Sequence, residues 1–583
     1  MKAKLLRLTI AGLAVTSLLL MAAGCGPSPT TEAPATEAPV ATEAPATEAP
    51  AATEAPPTEV PPTEVPPTEA PAAPTVLDRP FITLAADVVF SMDPAEDWSF
   101  GGGAGVLLHA YETLLTYEGE DFARIKPVLA AEIPTKENGG ISEDGKTITW
   151  HLKPDMTFHD GTPINSEAIK YSVERQIALA FGPDFYFQNL DSITIVDDLT
   201  FEMHLKEPSS MFMSVVASPW ATRIANPTLC KEHEVDGDWG HAWVAEHDAG
   251  SGPYIIESWD RDAQQIKLVK YENYWGGWEE GKGIEEVIVR WVTEPSTVRA
   301  LLETGDADLA SSLTAEDWAE LSATDEINGY AFPSTLLMQI YLNNEKPPTD
   351  NKLVRQALKA SFDAETIIDG VLGGLGLPMD SWAPPAYAGV SKPSNYIGFD
   401  LDHAQELLAE AGYPDGFEFT VKDPGLFQNS SLVLEVWQAD LAKIGVTMHI
   451  EPVDQGQFYT ALLTDPPDVP VSYLSNMGPD FPDAWSAMWY EFSSDFVAPG
   501  CCNYSNYANP RIDELIAEAE QEFDAKSRDA LYAEAFEILE DDVPMLTPLN
   551  FMHTVAMRDY VQGYHYVLAL SYQYVPYEEM WIK

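Results

Sequence analysis

Between residues 400 and 452 the spacing of the apolar positions switches repeatedly between two periods. Ala404, Leu407, Leu408 and Ala411 recur at helical spacing behind Asp400, a residue suited to capping a helix, and Gly412 stops the run. "FEFTV" (417–421) follows as a strand. A second helical run, with Val433, Val436, Trp437 and Leu441 turned inward, is expected from about Ser431 to Ile444 and ends at Gly445. "VTMHI" then alternates as a strand. This strand–helix–strand order implies a parallel pair with a right-handed crossover. Further on, Asn509-Pro510 reads as a cap and a first-turn proline, with Ile512, Leu515, Ile516 and Ala519 on one face. Upstream, "ITWHLKPDMTFHDGTPINSEAIKYSVERQ" holds an alternating strand, an Asp-Gly turn and a helix capped by Asn165. The class these elements predict is mixed α/β.

The first 77 residues follow other rules. Lys2, Lys4 and Arg7 precede an apolar run from Leu8 to Ala23, and Gly24-Cys25 follows, the pattern of a secretory signal. "MAAGC" resembles a bacterial lipobox, in which Cys25 would be acylated and become the mature N-terminus. Residues 1–25 are therefore expected to be a lipoprotein signal peptide. The mature chain is expected outside the cytoplasm, held at the cell membrane by lipid on Cys25. No later run approaches the roughly 18 apolar residues a spanning helix needs. From Pro27 to Thr75 a degenerate repeat, "TEAPATEAPVATEAP" onward to "TEVPPTEVPPTEAP", carries frequent proline and regularly spaced glutamate with almost nothing to bury. Residues 26–77 thus read as a solvated, extended tether with a reach of roughly 150 Å at about 3.1 Å per residue.

At 583 residues the chain is too long for one ordinary core, and at 45% hydrophobic it can fill more than one. Its 92 acidic and 32 basic side chains give a formal charge of −60, which repels phosphate backbones, so nucleic acid is not an expected partner. Besides Cys25 there are three cysteines. The simplest pairing joins Cys230 to one of the vicinal Cys501 and Cys502, and a strained 501–502 bridge is the other option.

Nine motifs then come in order: "SMDPAEDW" (91–98), "YETLLTYEG" (111–119), "EDGKTITWHLKPDMTFHDGTPINSEAIKYS" (143–172), "GSGPYIIESW" (250–259), "YENYWGG" (271–277), "VRQALKASFDAETII" (354–368), "LLAEAGY" (407–413), "LAKIGV" (441–446) and "NPRIDELIAEA" (509–519). Together they resemble the dipeptide- and oligopeptide-binding proteins of ABC importers, extracellular solute-binding family 5, from about Leu77 to Lys583. The resemblance implies a two-lobed clamshell of the periplasmic-binding-protein type II class with an extra domain. Lobe I would comprise 78–117, 221–330 and 551–583, the extra domain packed on it 118–220, and lobe II 331–550. It also implies a monomer that captures a peptide or other small solute between its lobes and delivers it to permease subunits, with no cofactor and no chemistry of its own.

In peptide-binding relatives an aspartate in the segment matching "NMGPDFPDAW" (476–485) pairs with the ligand ammonium, and here that position is Asp480. Asn476, Met477 and Gly478 would line the same wall through their main chains, and Trp485 would offer a stacking face. Asp483 is expected to be a local cap or turn residue, with Ala484 where the family usually has proline. One departure bears on the ligand: from Gln356 to Pro510 there is no arginine. The family's carboxylate-gripping arginine would fall near "VKDPGLFQNS" (421–430), where Lys422 is only a point charge. A longer peptide therefore fits better than a dipeptide clamped at both ends. An oligosaccharide, a metal complex or a cationic small molecule stays open as an alternative, with Trp382, Trp485 and Trp489 as stacking faces or core residues.

A surface hydrolase is the distant alternative. There is no GxSxG elbow, no HExxH and no phosphate-binding glycine loop. His233, His241 and His247 in "KEHEVDGDWGHAWVAEHDAG" (231–250) have loose spacing for a metal site and read as part of a solvated loop. His159 in "FHDGTP" reads as a turn residue.

Overall fold

The computed structural model describes Leu77–Lys583 apart from residues 86–88, 98–101, 120–123, 426, 428, 455–457, 459–470, 477–480, 498–501, 568, 569 and 571–573. For residues 102–104, 183 and 471–476 only the backbone is described. The expected signal peptide, Cys25 and the tether up to Val76 lie outside the described residues.

Strand β1 (Phe81–Ala85) is followed by a short hairpin of β2 (Leu115–Tyr117) and β3 (Ile125–Pro127). A separate antiparallel sheet, in the order β4-β6-β5, contains β4 (Thr147–His151), β5 (Leu190–Asp197) and β6 (Thr200–Leu205). Next come β7 (Tyr254–Asp260), β8 (Gln265–Lys270), β9 (Glu286–Trp291), β10 (Leu309–Ala310) and the 15-residue β11 (Ile327–Tyr341). After β12 (Gly376–Pro378), β13 (Glu418–Asp423), β14 (Thr447–Pro452) and β15 (Val471–Asn476), the 14-residue β16 (Met545–Arg558) completes an 11-stranded sheet. Its order is β14-β13-β15-β11-β16-β10-β1-β9-β8-β7, with β12 paired to β16.

Position in this sheet explains the strand patterns. β1 runs parallel between β9 and β10 and is buried at all five residues, so "FITLA" is a continuous run rather than an alternation. In β9, Val287, Val289 and Trp291 turn inward and the intervening residues are partly exposed. The helices match their sequence signals. Asp400 accepts the His403 N–H (3.0 Å) at the head of Leu401–Glu410. Asn165 accepts that of Ala168 (3.0 Å) at Ser166–Leu179, and Asn509 that of Arg511 (3.0 Å) at Pro510–Gln521. Gly412 and Gly445 leave their helices at φ +92° and +82°, a region that favours glycine. β13 and β14 pair in parallel, as the strand–helix–strand pattern requires.

Two cores flank the middle of the large sheet. One gathers Phe81, Val287, Val289, Val555 and Met557, and the other Met338, Ile340, Val421, Trp437 and Leu549. β16 contributes to both, through Val555 and Met557 to the first and Leu549 to the second, while β11, paired with it, joins the second through Met338 and Ile340. Their pairing breaks between Pro333 and Leu337, which lie opposite Met552 and Asn550. Three residues on β11 therefore bulge against one on β16, and side chains hold the bulge. Asn550 Nδ2 donates to the Ser334 and Leu336 carbonyls at 2.8 and 2.9 Å, and Ser334 Oγ donates to the Phe551 carbonyl at 2.6 Å.

The segment around β4–β6 has its hydrophobic side in a third core, where Trp150, Phe201 and Trp220 are joined by Trp382, Trp485 and Phe536. It also touches the 484–523 region directly: the Ser210 N–H donates to the Glu520 carbonyl (2.7 Å) and Lys136 sits 3.8 Å over the Phe523 ring.

Candidate functional site

In sheets of this kind ligands bind beyond the carboxyl ends of parallel strands. Here those ends are Ala85 on β1, Asp423 on β13, Pro452 on β14 and Asn476 on β15. Asn476 closes β15 opposite Leu336, so the segment singled out in the sequence starts beside the β11 bulge. Met477, Gly478 and Asp480 lie outside the described residues, and for Asn476 only the backbone is described.

Description resumes at Phe481. Asp483 caps the helix Ala484–Phe492, accepting the Trp485 N–H (2.9 Å) and the Tyr532 hydroxyl (2.6 Å). Asp483 is 6% exposed, and burial raises its pKa against the pull of those two donors. Both contacts converge on Oδ1 and are structural. Trp485 is 5% exposed. Its indole N–H is committed to the Ile516 carbonyl (2.9 Å), and its ring lies between Phe481 (5.9 Å) and Trp489 (4.9 Å). Phe185, from the segment preceding β5, adds an aromatic contact to Trp489 at 6.3 Å. Trp382 is fully buried and donates to Glu540 (2.9 Å), which also accepts Lys359 (2.5 Å). At the far end of the helix, burial drives the Glu491 pKa up to about 8; Tyr341 donates to it at 3.2 Å and is itself bonded to Gln339 (2.8 Å).

The arginine-free stretch has four lysines. Lys359, Lys392 and Lys443 pair with Glu540, Asp380 and Asp440. Lys422, partly buried one residue before the end of β13, has no carboxylate partner among the described residues. The Asp423 carboxylate beside it is engaged by the Gly425 N–H and the Ser430 and Ser431 hydroxyls.

On the other side of the sheet, sequence reading missed two polar clusters. Asp93 of "SMDP" is fully buried and grips both terminal nitrogens of Arg175 (2.7 and 2.5 Å) while His241 Nδ1 lies 2.9 Å away. Burial pushes its pKa up, but these partners outweigh burial and hold it below the usual carboxylate value. His159 is not a simple turn residue: its side chain is 8% exposed, with Nδ1 2.6 Å from Asp248 and Nε2 2.9 Å from the Gly252 carbonyl. The histidine segment is likewise more ordered than a solvated loop. His233 and His247 sandwich Trp243 at 4.2 and 4.5 Å, while His241 serves Asp93. Among the described residues no three His, Cys, Asp or Glu side chains are placed to hold a metal ion. Cys230 is a buried free thiol and Cys502 is disulfide-bonded, which corrects the simpler pairing expected: the bridge leaves Cys230 out. Cys230 belongs to the first core, with Tyr171 beside its thiol, and burial raises its pKa to about 11.

Comparison with known proteins places this geometry. Residues 124–498 match the family model described as bacterial extracellular solute-binding proteins, family 5 Middle. The chain is 30% identical over 441 residues to the glutathione-binding protein GsiB of Salmonella typhimurium, across 73% of this chain and 80% of that protein. Its fold is similar to the dipeptide-binding protein of Pseudoalteromonas sp. SM9913 in complex with Met-Leu (TM-score 0.72, 22% identity, 87% of this chain and 100% of that one). It is also similar to NikA of Staphylococcus aureus in complex with Ni(L-His)2 (TM-score 0.69, 19% identity, 86% and 99%).

Proposed function

We propose a role for this chain from one premise: it belongs to the bacterial extracellular solute-binding proteins of family 5. It is the solute-binding component of an ABC importer for peptides or related solutes, a binding protein rather than an enzyme. The observation that carries the finer reading is the passage of β16 between two separate cores, paired with β11 and with a bulge in that pairing. Two lobes joined this way close on a ligand by rotating about these strands. Lobe I is 78–117, 221–330 and 551–583, lobe II is 331–550, and 118–220 is the added domain.

The ligand is an oligopeptide rather than a dipeptide. Asp480 receives its ammonium, because a carboxylate enclosed by closure needs a paired cation. Asn476, Met477 and Gly478 line the wall, with Trp485 behind them. The absence of arginine from 356–510 and the isolation of Lys422 support a ligand whose carboxylate is not gripped in lobe II. Lipid on Cys25 and the 26–77 tether hold the protein near its permease. Denaturing mass spectrometry of the solute that co-purifies tests the reading. A mixture of peptides longer than two residues supports it, and a uniform sugar or metal complex overturns it.

A further inference from the structure

Residues 118–220 are tied to their two neighbours by contacts of different kinds. Toward lobe I they make buried charge pairs. Arg175 grips Asp93 at 2.7 and 2.5 Å with both side chains shut off from water, and His159 lies 2.6 Å from Asp248. Separating such pairs strands buried charge, so the added domain moves with lobe I.

Toward lobe II the polar contacts sit at the rim. Ser210 meets the carboxyl end of the helix Pro510–Gln521, where the last carbonyls have no partner within the helix. Its N–H donates to the Glu520 carbonyl at 2.7 Å, and its hydroxyl reaches the Glu520 and Ala519 carbonyls at 2.9 and 3.3 Å. Just past that helix, the Lys136 ammonium lies 3.8 Å over the Phe523 ring. Phe185 meets Trp489 (6.3 Å) and Tyr490 (6.1 Å). The side chains in these contacts are partly or fully exposed, and each polar group finds water when the surfaces part. Behind the rim, Trp150 and Phe201 share a core with Trp485 and Phe536, so apolar burial favours the joined state. One attachment is thus built to stay and the other can open.

We infer that the added domain is a clasp: rotation of lobe II away from lobe I breaks the rim contact, which therefore holds the closed state and lengthens the stay of the solute. The inference rests on the two-lobed reading above. Pulsed dipolar spectroscopy on the full chain, with no solute added, tests it through two pairs of spin labels at exposed positions. Glu137→Cys and Lys526→Cys span the clasp, and Asp262→Cys and Glu406→Cys span lobes I and II. The first pair should show a short and a long distance, with the second pair changing alongside it. Phe523→Ala should raise the long-to-short ratio of the first pair about tenfold, and Lys136→Met about threefold. The exposed Lys136 gives a variant that folds if Phe523→Ala does not. A single short distance for the first pair in all three proteins, or an unchanged ratio in the folded variants, would overturn the clasp. If the second pair separates while the first stays short, the added domain rides on lobe II and the two-lobed reading stands. If neither pair separates, that reading falls with the clasp.

Discussion

His159 Nδ1 stands 2.6 Å from the Asp248 carboxylate, and its other ring nitrogen faces the Gly252 carbonyl at 2.9 Å. Two acceptors on one imidazole call for a proton on each nitrogen. His159 thereby ties "FHDGTP" to Asp248, 89 residues on, and to Gly252 of "GSGPY", 93 residues on. Burial lowers the His159 pKa, but Asp248 outweighs burial and leaves it raised. A raised histidine stabilises the fold fully below its unfolded value, near 6.5, and loses that contribution as pH climbs through the folded value. His159→Gln should therefore cost about 2 kcal/mol at pH 5.5 and clearly less at pH 9, read from denaturant melts of both proteins.

Glu491 gives a pH effect measurable at the alkaline end. Its carboxyl, raised to about 8 by burial, favours the fold while protonated, and that advantage disappears as pH rises from the ordinary carboxylate range through 8. Glu491→Gln should melt about 2–4 °C higher than wild type at pH 9 and close to it at pH 4.5, by scanning calorimetry.

The two aspartates of "GPDFPDAW" should separate cleanly. Asp483→Ala removes a helix cap and strands the Tyr532 hydroxyl, so it should lower stability by about 2–3 kcal/mol. Asp480→Asn should leave the melting curve in place and weaken amine-bearing peptides by about tenfold or more. Unchanged peptide affinity would remove Asp480 from the site.

Ligand chemistry offers a test without mutation. With Lys422 the lysine of the arginine-free stretch that lacks a carboxylate partner among the described residues, amidating a tetrapeptide's C-terminus should change its affinity by less than about threefold. A fluorescence titration that shows a drop of a hundredfold would point to a guanidinium-like grip on the carboxylate.

Local signals were legible and distant ones were not. Asp400, Asn165 and Asn509 cap helices because their donors lie two or three residues away, and the spacing of Ile512, Leu515 and Ile516 marks the buried face directly. Family resemblance carried the fold class. By contrast, Asp93 depends on Arg175 and His241, 82 and 148 residues on, so nothing near "SMDP" marks it as a paired buried charge. The same distance hid the role of His159 and the exclusion of Cys230 from the disulfide. Trp485 looked free to stack because its acceptor, the Ile516 carbonyl, sits on another helix.

The large sheet is many strands wide, yet of its strands β16, paired with β11, is the one with described residues in both cores that flank its middle. A two-stranded ribbon twists far more readily than a broad sheet. A bulge in such a ribbon concentrates compliance in a few peptide units, and here Asn550 ties two carbonyls within it, those of Ser334 and Leu336.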